Sequence, residues 1–422
     1  MTDEIEGKLK IFVFNLILFF IILVLCEATL RVSAYFSPTI DFILSRYQWE
    51  PLVEDDASGP QYSPVCPDLD DMGFRNPSSG GKYGVLALGD SNTLGLFVEY
   101  DKTWPRLLGA ESGLSVYNMG RTAYSSVHYT LHREQIISKD PDHIVFVFYT
   151  GNDLFDSYKS VYNHTGLEGF RSQNASLVWQ INAAELDDTI LKDYDDNFYC
   201  NSTRVFITAF EVHDSFLGQY KSYWLARNFY HTFNTIRSGK YAGLVHRREC
   251  IQEYLRDVKK YHANNSFCLV MGSGKEEMGL KPGYRILGLD LNDPRIREGL
   301  RLNLAGMGSL HDLALGEGSV FHVVILPSKE YVYYHSMLSG DGVSGVYADL
   351  VRDEESVIRI TREFLRSEGI SYIDLTASFN ESMSKGTSPY FQWDGHINGQ
   401  GHNIISKQVS KMIGADHLRP SR

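Results

Sequence analysis

Ser91 stands in "GDSNT", directly behind the apolar run Val85 to Leu88, where a buried strand would hand over to a turn. Three further blocks carry residues of complementary chemistry. Gly120 lies in "NMGRTAYS", Asn152 in "TGND", and Asp394 and His396 in "QWDGHINGQGH". A hydroxyl is a weak nucleophile until a base takes its proton, and the oxyanion it creates on a carbonyl needs donors already in place. A serine, a glycine main chain, an asparagine amide and a histidine with a nearby acid are together what acyl transfer through serine requires. Each block alone is weak, since Gly, Asn and Asp favour the turns that follow strands. Their joint placement carries the reading.

The surrounding elements must bring these blocks to one place. "YGVLALGD", "SVYNMG" and "HIVFVFYTGND" read as three buried strands, with helices at "TWPRLLGAES" and "SSVHYTLHREQIIS" between them. The strands are bounded by Gly, Asn and Asp and lack period-two alternation, as expected of parallel strands covered on both faces. The rhythm breaks from about residue 159 to 295. It resumes with the helical "RIREGLRLNLAGMGSLHDLAL", the strand "VFHVVILPSKE", a charged helix at "DEESVIRITREFLRSEG", the strand "SYIDLT" and a last helix near "GHNIISKQVSKMI". Open parallel sheets place their ligands at the carboxyl ends of their strands, where Ser91, Gly120 and Asn152 fall. The "DYDDN" cluster lacks the glycine and spacing of a calcium loop and reads as a solvated loop.

In this order the four blocks resemble the SGNH hydrolases, also called GDSL-type esterases. "GFRN" before the first strand and "TWP" after the serine add to the likeness, which covers about 73–158 and 318–415. A group of membrane-anchored bacterial members with a comparable middle segment is especially similar. The resemblance implies a flavodoxin-like, doubly wound parallel α/β sheet. It implies Ser91 as nucleophile, His396 as general base, Asp394 as the residue orienting the imidazole, and an oxyanion hole from the Ser91 and Gly120 N–H groups with the Asn152 side chain. Many members place the acid three residues before the histidine, whereas here the pair is Asp394-Gly395-His396. The shorter spacing occurs in relatives that are sugar O-acetyltransferases. His402, in "GQGH", is a rival base expected to begin the last helix and pack there. Asp90 and Asp153 are expected to fix loops, and His128 and His132 to pack or face solvent.

Charge excludes one class of partner. The net charge is -12 and the pI near 5.6, with no basic stripe for phosphates, so nucleic acid is not expected. Ile11 to Cys26 is an apolar run broken only by Asn15. It spans about 24 Å as a helix, slightly short of a bilayer core without flanking residues. The reading is one transmembrane helix over 11–30, an anchor in preference to a cleaved signal, after a tail at 1–10. The basic Lys8 and Lys10 favour a cytoplasmic N-terminus, with the remainder extracytoplasmic. A juxtamembrane segment at 31–80 leads into the two domain halves, 81–158 and 318–415, separated by a long insertion at 159–317 expected to shape the cleft. Cys66, Cys200, Cys250 and Cys268 permit disulfides in three pairings, with free thiols as the alternative. Their spacing suits no zinc site, and neither metal nor cofactor is expected. Sequons stand at Asn163, Asn174, Asn201, Asn264 and Asn380. The function expected is ester hydrolysis through an acyl-serine, on acylated extracytoplasmic glycans or lipid esters. The alternatives are O-acyl transfer to a sugar hydroxyl, or a non-catalytic partner of a membrane-bound acyltransferase.

Overall fold

The computed structural model describes residues 14–15, 18–22, 24–33, 52–56, 59–62, 70, 72–76, 82–96, 98, 100–163, 166–186, 269–271, 278–337, 345–392 and 394–416. Cys66, Cys200, Cys250, Cys268, the sequons at Asn201 and Asn264, and the "DYDDN" cluster lie outside the described residues. Five strands form one sheet: β1 (Val85–Leu88), β2 (Val116–Asn118), β3 (His143–Tyr149), β4 (Val320–Leu326) and β5 (Ser371–Asp374). Their spatial order is β2-β1-β3-β4-β5, and every neighbouring pair is parallel. This is the flavodoxin-like, doubly wound order, with its topological switch point between β1 and β3. The sequence expectation of the fold class holds for this domain.

Burial explains the unbroken apolar runs. All seven residues of β3 and all four of β1 are buried, as a central parallel strand demands when both its faces are covered. Short α1 (Ser91–Leu94) leaves β1, and α2 (Trp104–Ser112) leads back to β2. The helix expected over "SSVHYTLHREQIIS" is instead three short turns: Ser126–Tyr129, a 3₁₀ turn at Thr130–His132, and Arg133–Ser138. Buried Tyr129 anchors the break by hydrogen bonding the Gly89 main chain below Ser91. After β3 comes α3 (Asp153–Asn163), and the long α4 (Pro294–Glu317) packs on both α3 and β4. Then follow α5 (Lys329–Met337), α6 (Gly345–Ser367) and, after β5, α7 (Gly399–Asp416), which packs against α2.

Near the N-terminus, Leu18 to Ile22 and Val24 to Val32 are helical and carry exposed Phe19, Phe20, Ile21, Ile22, Val24 and Leu25. Among the described residues, no helix is long and apolar enough to cross a membrane. Much of the stretch 1–17 lies outside the described residues.

Candidate active site

Ser91 is the first residue of α1, and Asp90 caps that helix by accepting the Asn92 N–H (2.8 Å) and an Asn92 amide hydrogen (3.0 Å). The cap fixes the strand-to-helix turn that carries Ser91, whose Oγ also lies 3.4 Å from Asp90 Oδ2. Ser91 is only 4% exposed. The chain returns to it much later, in the loop between β5 and α7, where Asp394 and His396 lie.

The structure brings these three side chains into one line. Ser91 Oγ lies 2.8 Å from His396 Nε2, and His396 Nδ1 is in direct contact with Asp394 Oδ1. The same carboxylate oxygen accepts the His396 main-chain N–H at 2.8 Å, so Asp394 fixes both the ring and the backbone that carries it. Ile397 N–H donates to Asn92 Oδ1 (3.1 Å), tying the histidine loop to the serine turn. Asp394 is buried, while the His396 side chain keeps 25% of its surface exposed. The imidazole is therefore the part of the line that solvent or a ligand reaches.

Electrostatics fit a base that holds a proton firmly. Burial opposes the imidazolium, but the charge and hydrogen bond of Asp394, helped by Asp90, outweigh it and raise the His396 pKa above its ordinary 6.5. Burial also opposes the Asp394 carboxylate, yet His396 and Lys281 hold it well below the usual carboxylate range. The two groups stabilise each other's charge. His402, the rival base, is fully buried and accepts the Trp104 N–H on Nδ1 (3.1 Å). Burial, with the charges of Arg75 and His396, lowers it to about 3. It packs between α7 and α2, away from Ser91 Oγ.

The glycine between Asp394 and His396 has a local cause. A Cβ on Gly395 would sit 2.3 Å from Arg285 Nη2, so the guanidinium fills the space a side chain would need. Arg285 also donates to the Gly151 carbonyl (2.8 Å) and pairs with buried Glu330 (3.3 Å). One cation thus touches the loop after β3 and the histidine loop together. It comes from the stretch 159–317, which gave no motif in the sequence.

The main-chain and side-chain groups expected to bind an oxyanion make local hydrogen bonds here. Gly120 N–H donates to Asn118 Oδ1 at 2.8 Å and is already occupied. Its lack of a side chain serves packing, because a Cβ there would lie 2.3 Å from Leu94 N. In the same turn Ala123 has a φ of 59°, in the left-handed region that a residue with a Cβ seldom adopts. Among the described residues its N–H, like that of Ser91, makes no hydrogen bond. Nothing in "RTAYS" marks this position, because the usual signal for positive φ, a glycine, is missing. Asn152 follows β3 as expected, and its amide donates to Asp156 Oδ2 (2.7 Å). Burial, with the charge of Asp90, pushes Asp156 up to about 8.

Asp153 accepts the Tyr149 N–H (2.9 Å), and His128 and His132 stack on Tyr124. Among the described residues no group of His, Cys, Asp and Glu could hold a metal ion.

The fold and the site together define an α/β protein with a serine–histidine–aspartate line at the carboxyl ends of a flavodoxin-like sheet. No protein family matches the chain, and no curated protein does. Among solved structures it is similar to a protein of the G-D-S-L family from Desulfitobacterium hafniense DCB-2. That match has 9% identity and a TM-score of 0.34, covering 78% of this chain and 98% of the other. It is also similar to a mutant of Axe2, an acetyl-xylooligosaccharide esterase from a Geobacillus species, at 14% identity and a TM-score of 0.35, covering 82% and 99%. A second, catalytic mutant of Axe2, there called an acetylxylan esterase from Geobacillus stearothermophilus, matches at 13% and 0.34, covering 81% and 99%.

Proposed function

We propose that this chain is a serine-dependent ester hydrolase. The observation that carries the reading is the unbroken contact from Ser91 Oγ through His396 to the buried Asp394. His396 Nε2 takes the hydroxyl proton as Oγ attacks the ester carbonyl, and Asp394 stabilises the imidazolium that forms. The Ser91 N–H, which makes no hydrogen bond among the described residues, and the Asn152 amide are the candidate donors to the resulting oxyanion. Collapse passes the proton to the departing alkoxide and leaves an acyl-serine. Water then attacks with His396 again as base, releasing the acid and restoring Ser91.

The substrate class we infer is an O-acyl ester of an extracytoplasmic glycan or lipid, with the chain held to a membrane through residues 11–30. The exposed phenylalanine, isoleucine and leucine side chains between Phe14 and Leu25 support that placement, since a contiguous apolar patch calls for an apolar environment. With a sugar hydroxyl in place of water the same site performs O-acyl transfer, which the short Asp394–His396 spacing favours. A membrane-bound acyltransferase is then the partner that would supply acyl groups.

The test uses the full-length protein in detergent, wild type against Ser91→Ala. p-Nitrophenyl acetate and butyrate are the substrates, and mass spectrometry maps the serine labelled by a fluorophosphonate probe. Turnover and labelling at Ser91, both absent from Ser91→Ala, is the expected outcome. A folded wild-type sample that neither turns over nor labels refutes the enzyme reading in favour of a non-catalytic partner protein.

A further inference from the structure

Lys329 is the first residue of α5, at the carboxyl end of β4, and none of its side chain reaches solvent. A buried ammonium is costly unless its hydrogens are all taken. Here they are. Nζ donates to the main-chain carbonyls of Gly279, Phe391 and Gln392, each at 2.8 Å, and a fourth carbonyl, that of Asp394, lies at 3.4 Å. Three of these four acceptors belong to the loop that ends in Asp394 and His396. The Gly279 N–H in turn donates to the Gln392 carbonyl (2.9 Å), so the short strand Met278–Leu280 backs the loop from the other side. No step of the acyl transfer described above uses this amine.

We propose that Lys329 is a positioning residue for the candidate site: its ammonium draws the carbonyls of Phe391, Gln392 and Asp394 together and so fixes the loop register that aims His396 at Ser91. The inference rests on the ester-hydrolase reading for its catalytic consequence, but not for its structural one. The ammonium form is required. Three carbonyls at hydrogen-bond distance need three N–H donors, and a neutral amine has only two. Arg285, another cation nearby, makes different contacts, to the Gly151 carbonyl and to Glu330.

The groups facing Nζ set when that form is lost. Burial lowers the Lys329 pKa to about 8, the carboxylates of Glu330 and Asp394 oppose this, and the charges of Lys281 and Arg285 add to it. The ring of Tyr333 lies 5.8 Å away. Because the folded value lies below the ordinary 10.5, the native state sheds this proton first, and this group does not lower global stability as pH rises from about 8 to 10.5. A loss of activity in that window without a loss of melting temperature is therefore the signature of positioning.

Lys329→Met, Lys329→Arg and wild type in detergent are compared by two readouts. The first is hydrogen–deuterium exchange over residues 389–398, which needs no activity. Faster exchange there in Lys329→Met, with β1 and β3 unchanged, is expected; unchanged exchange in the loop overturns the proposal. The second is the pH dependence of kcat and KM for p-nitrophenyl acetate. Wild type should lose kcat above about pH 8. Lys329→Met should lose about 100-fold in kcat with KM little changed, the scale of a small misplacement of a catalytic group. Its alkaline limb should vanish, and Lys329→Arg, whose charge is permanent, should regain part of the rate and also lack the limb. An alkaline limb that persists in Lys329→Arg, or a folded Lys329→Met with wild-type kcat, overturns the proposal. If Lys329→Met does not fold, wild type alone decides: fluorophosphonate labelling of Ser91 that stays constant across the window overturns it. Wild type that never labels would instead sink the ester-hydrolase reading and leave the exchange result standing.

Discussion

Replacing Asp394 by Asn removes one charge and almost nothing else. The side-chain volume is kept, and the amide oxygen can still accept the His396 main-chain N–H that Asp394 Oδ1 now accepts at 2.8 Å. What is lost is the carboxylate in contact with Nδ1. An imidazolium and a carboxylate about 4 Å apart, charge centre to charge centre, attract by about 4 kcal/mol at an effective dielectric near 20. That stabilisation exists only while His396 holds the serine proton, in the transition state, so its loss should lower kcat by about 10³-fold. Loss of the ring tautomer that Asp394 imposes would carry the effect towards about 10⁴-fold. The acid limb gives an independent reading. His396 must be neutral to act, and its pKa is raised by Asp394, so wild-type kcat/KM should rise with pH through a midpoint above 6.5. In Asp394→Asn the midpoint should move to lower pH while the plateau falls. The assay is p-nitrophenyl acetate hydrolysis from about pH 5 to 8, with Ser91→Ala as the blank. A variant within tenfold of wild type across that range, or with its midpoint unmoved, would refute the idea that Asp394 works through His396.

Three further outcomes follow from single contacts. Gly395→Ala puts a methyl group 2.3 Å from Arg285 Nη2, so it should cost about 1–3 kcal/mol of stability and reduce kcat, read by thermal unfolding and by turnover of the folded fraction. His402→Phe removes the acceptor for the Trp104 N–H and should cost about 1–3 kcal/mol while leaving the acid limb where it was; a shifted limb would restore His402 as a candidate base. Gly120→Ala should disturb α1 through backbone contact with Leu94, lowering both stability and Ser91 labelling. A stable Gly120→Ala protein with normal labelling would show that the close approach is dispensable.

The fold was legible because parallel strands buried on both faces leave a plain trace, an unbroken apolar run such as Ile144 to Tyr149, ended by Gly and Asn. Ser91 and the Asp394–His396 pair, which the structure brings into contact, were legible for a related reason. Each stands at a strand end or in a loop rich in turn residues, where chemistry-bearing side chains have no packing role to explain them. Gly120 is read less directly from sequence, because glycine has two uses. It frees a main-chain N–H for a ligand, or it lets two backbones touch, and only coordinates separate these. Ala123 left no trace at all, since its left-handed φ is imposed by the surrounding turn and not by its own residue type.

Arg285, Lys329 and Glu354 were invisible for a different reason: their partners, chiefly main-chain atoms and hydroxyl groups with one carboxylate, Glu330, are distant in sequence. Glu354, on α6, accepts from Thr150 Oγ1 (2.5 Å) and from the N–H (2.6 Å) and Oγ (2.5 Å) of Ser328, joining the ends of β3 and β4 beneath the site. Burial raises it to about 7. Thr150 and Ser328 stand directly beside Gly151 and Lys329, which Arg285 and the carbonyl cage engage. The loops that carry Asn152 and His396 are thus fixed from below by one buried carboxylate and from the side by two buried cations, each compensated locally. Such an arrangement needs all its members at once, because removing either cation leaves carbonyls or carboxylates buried without donors. That is the physical reason to expect Arg285→Met, like Lys329→Met, to loosen the site well before it unfolds the sheet. Hydrogen exchange at residues 150–153 that rises in Arg285→Met, with β1 still protected, is the expected result. Exchange that rises uniformly across the domain would mean that Arg285 holds up the fold and has no particular hold on the site.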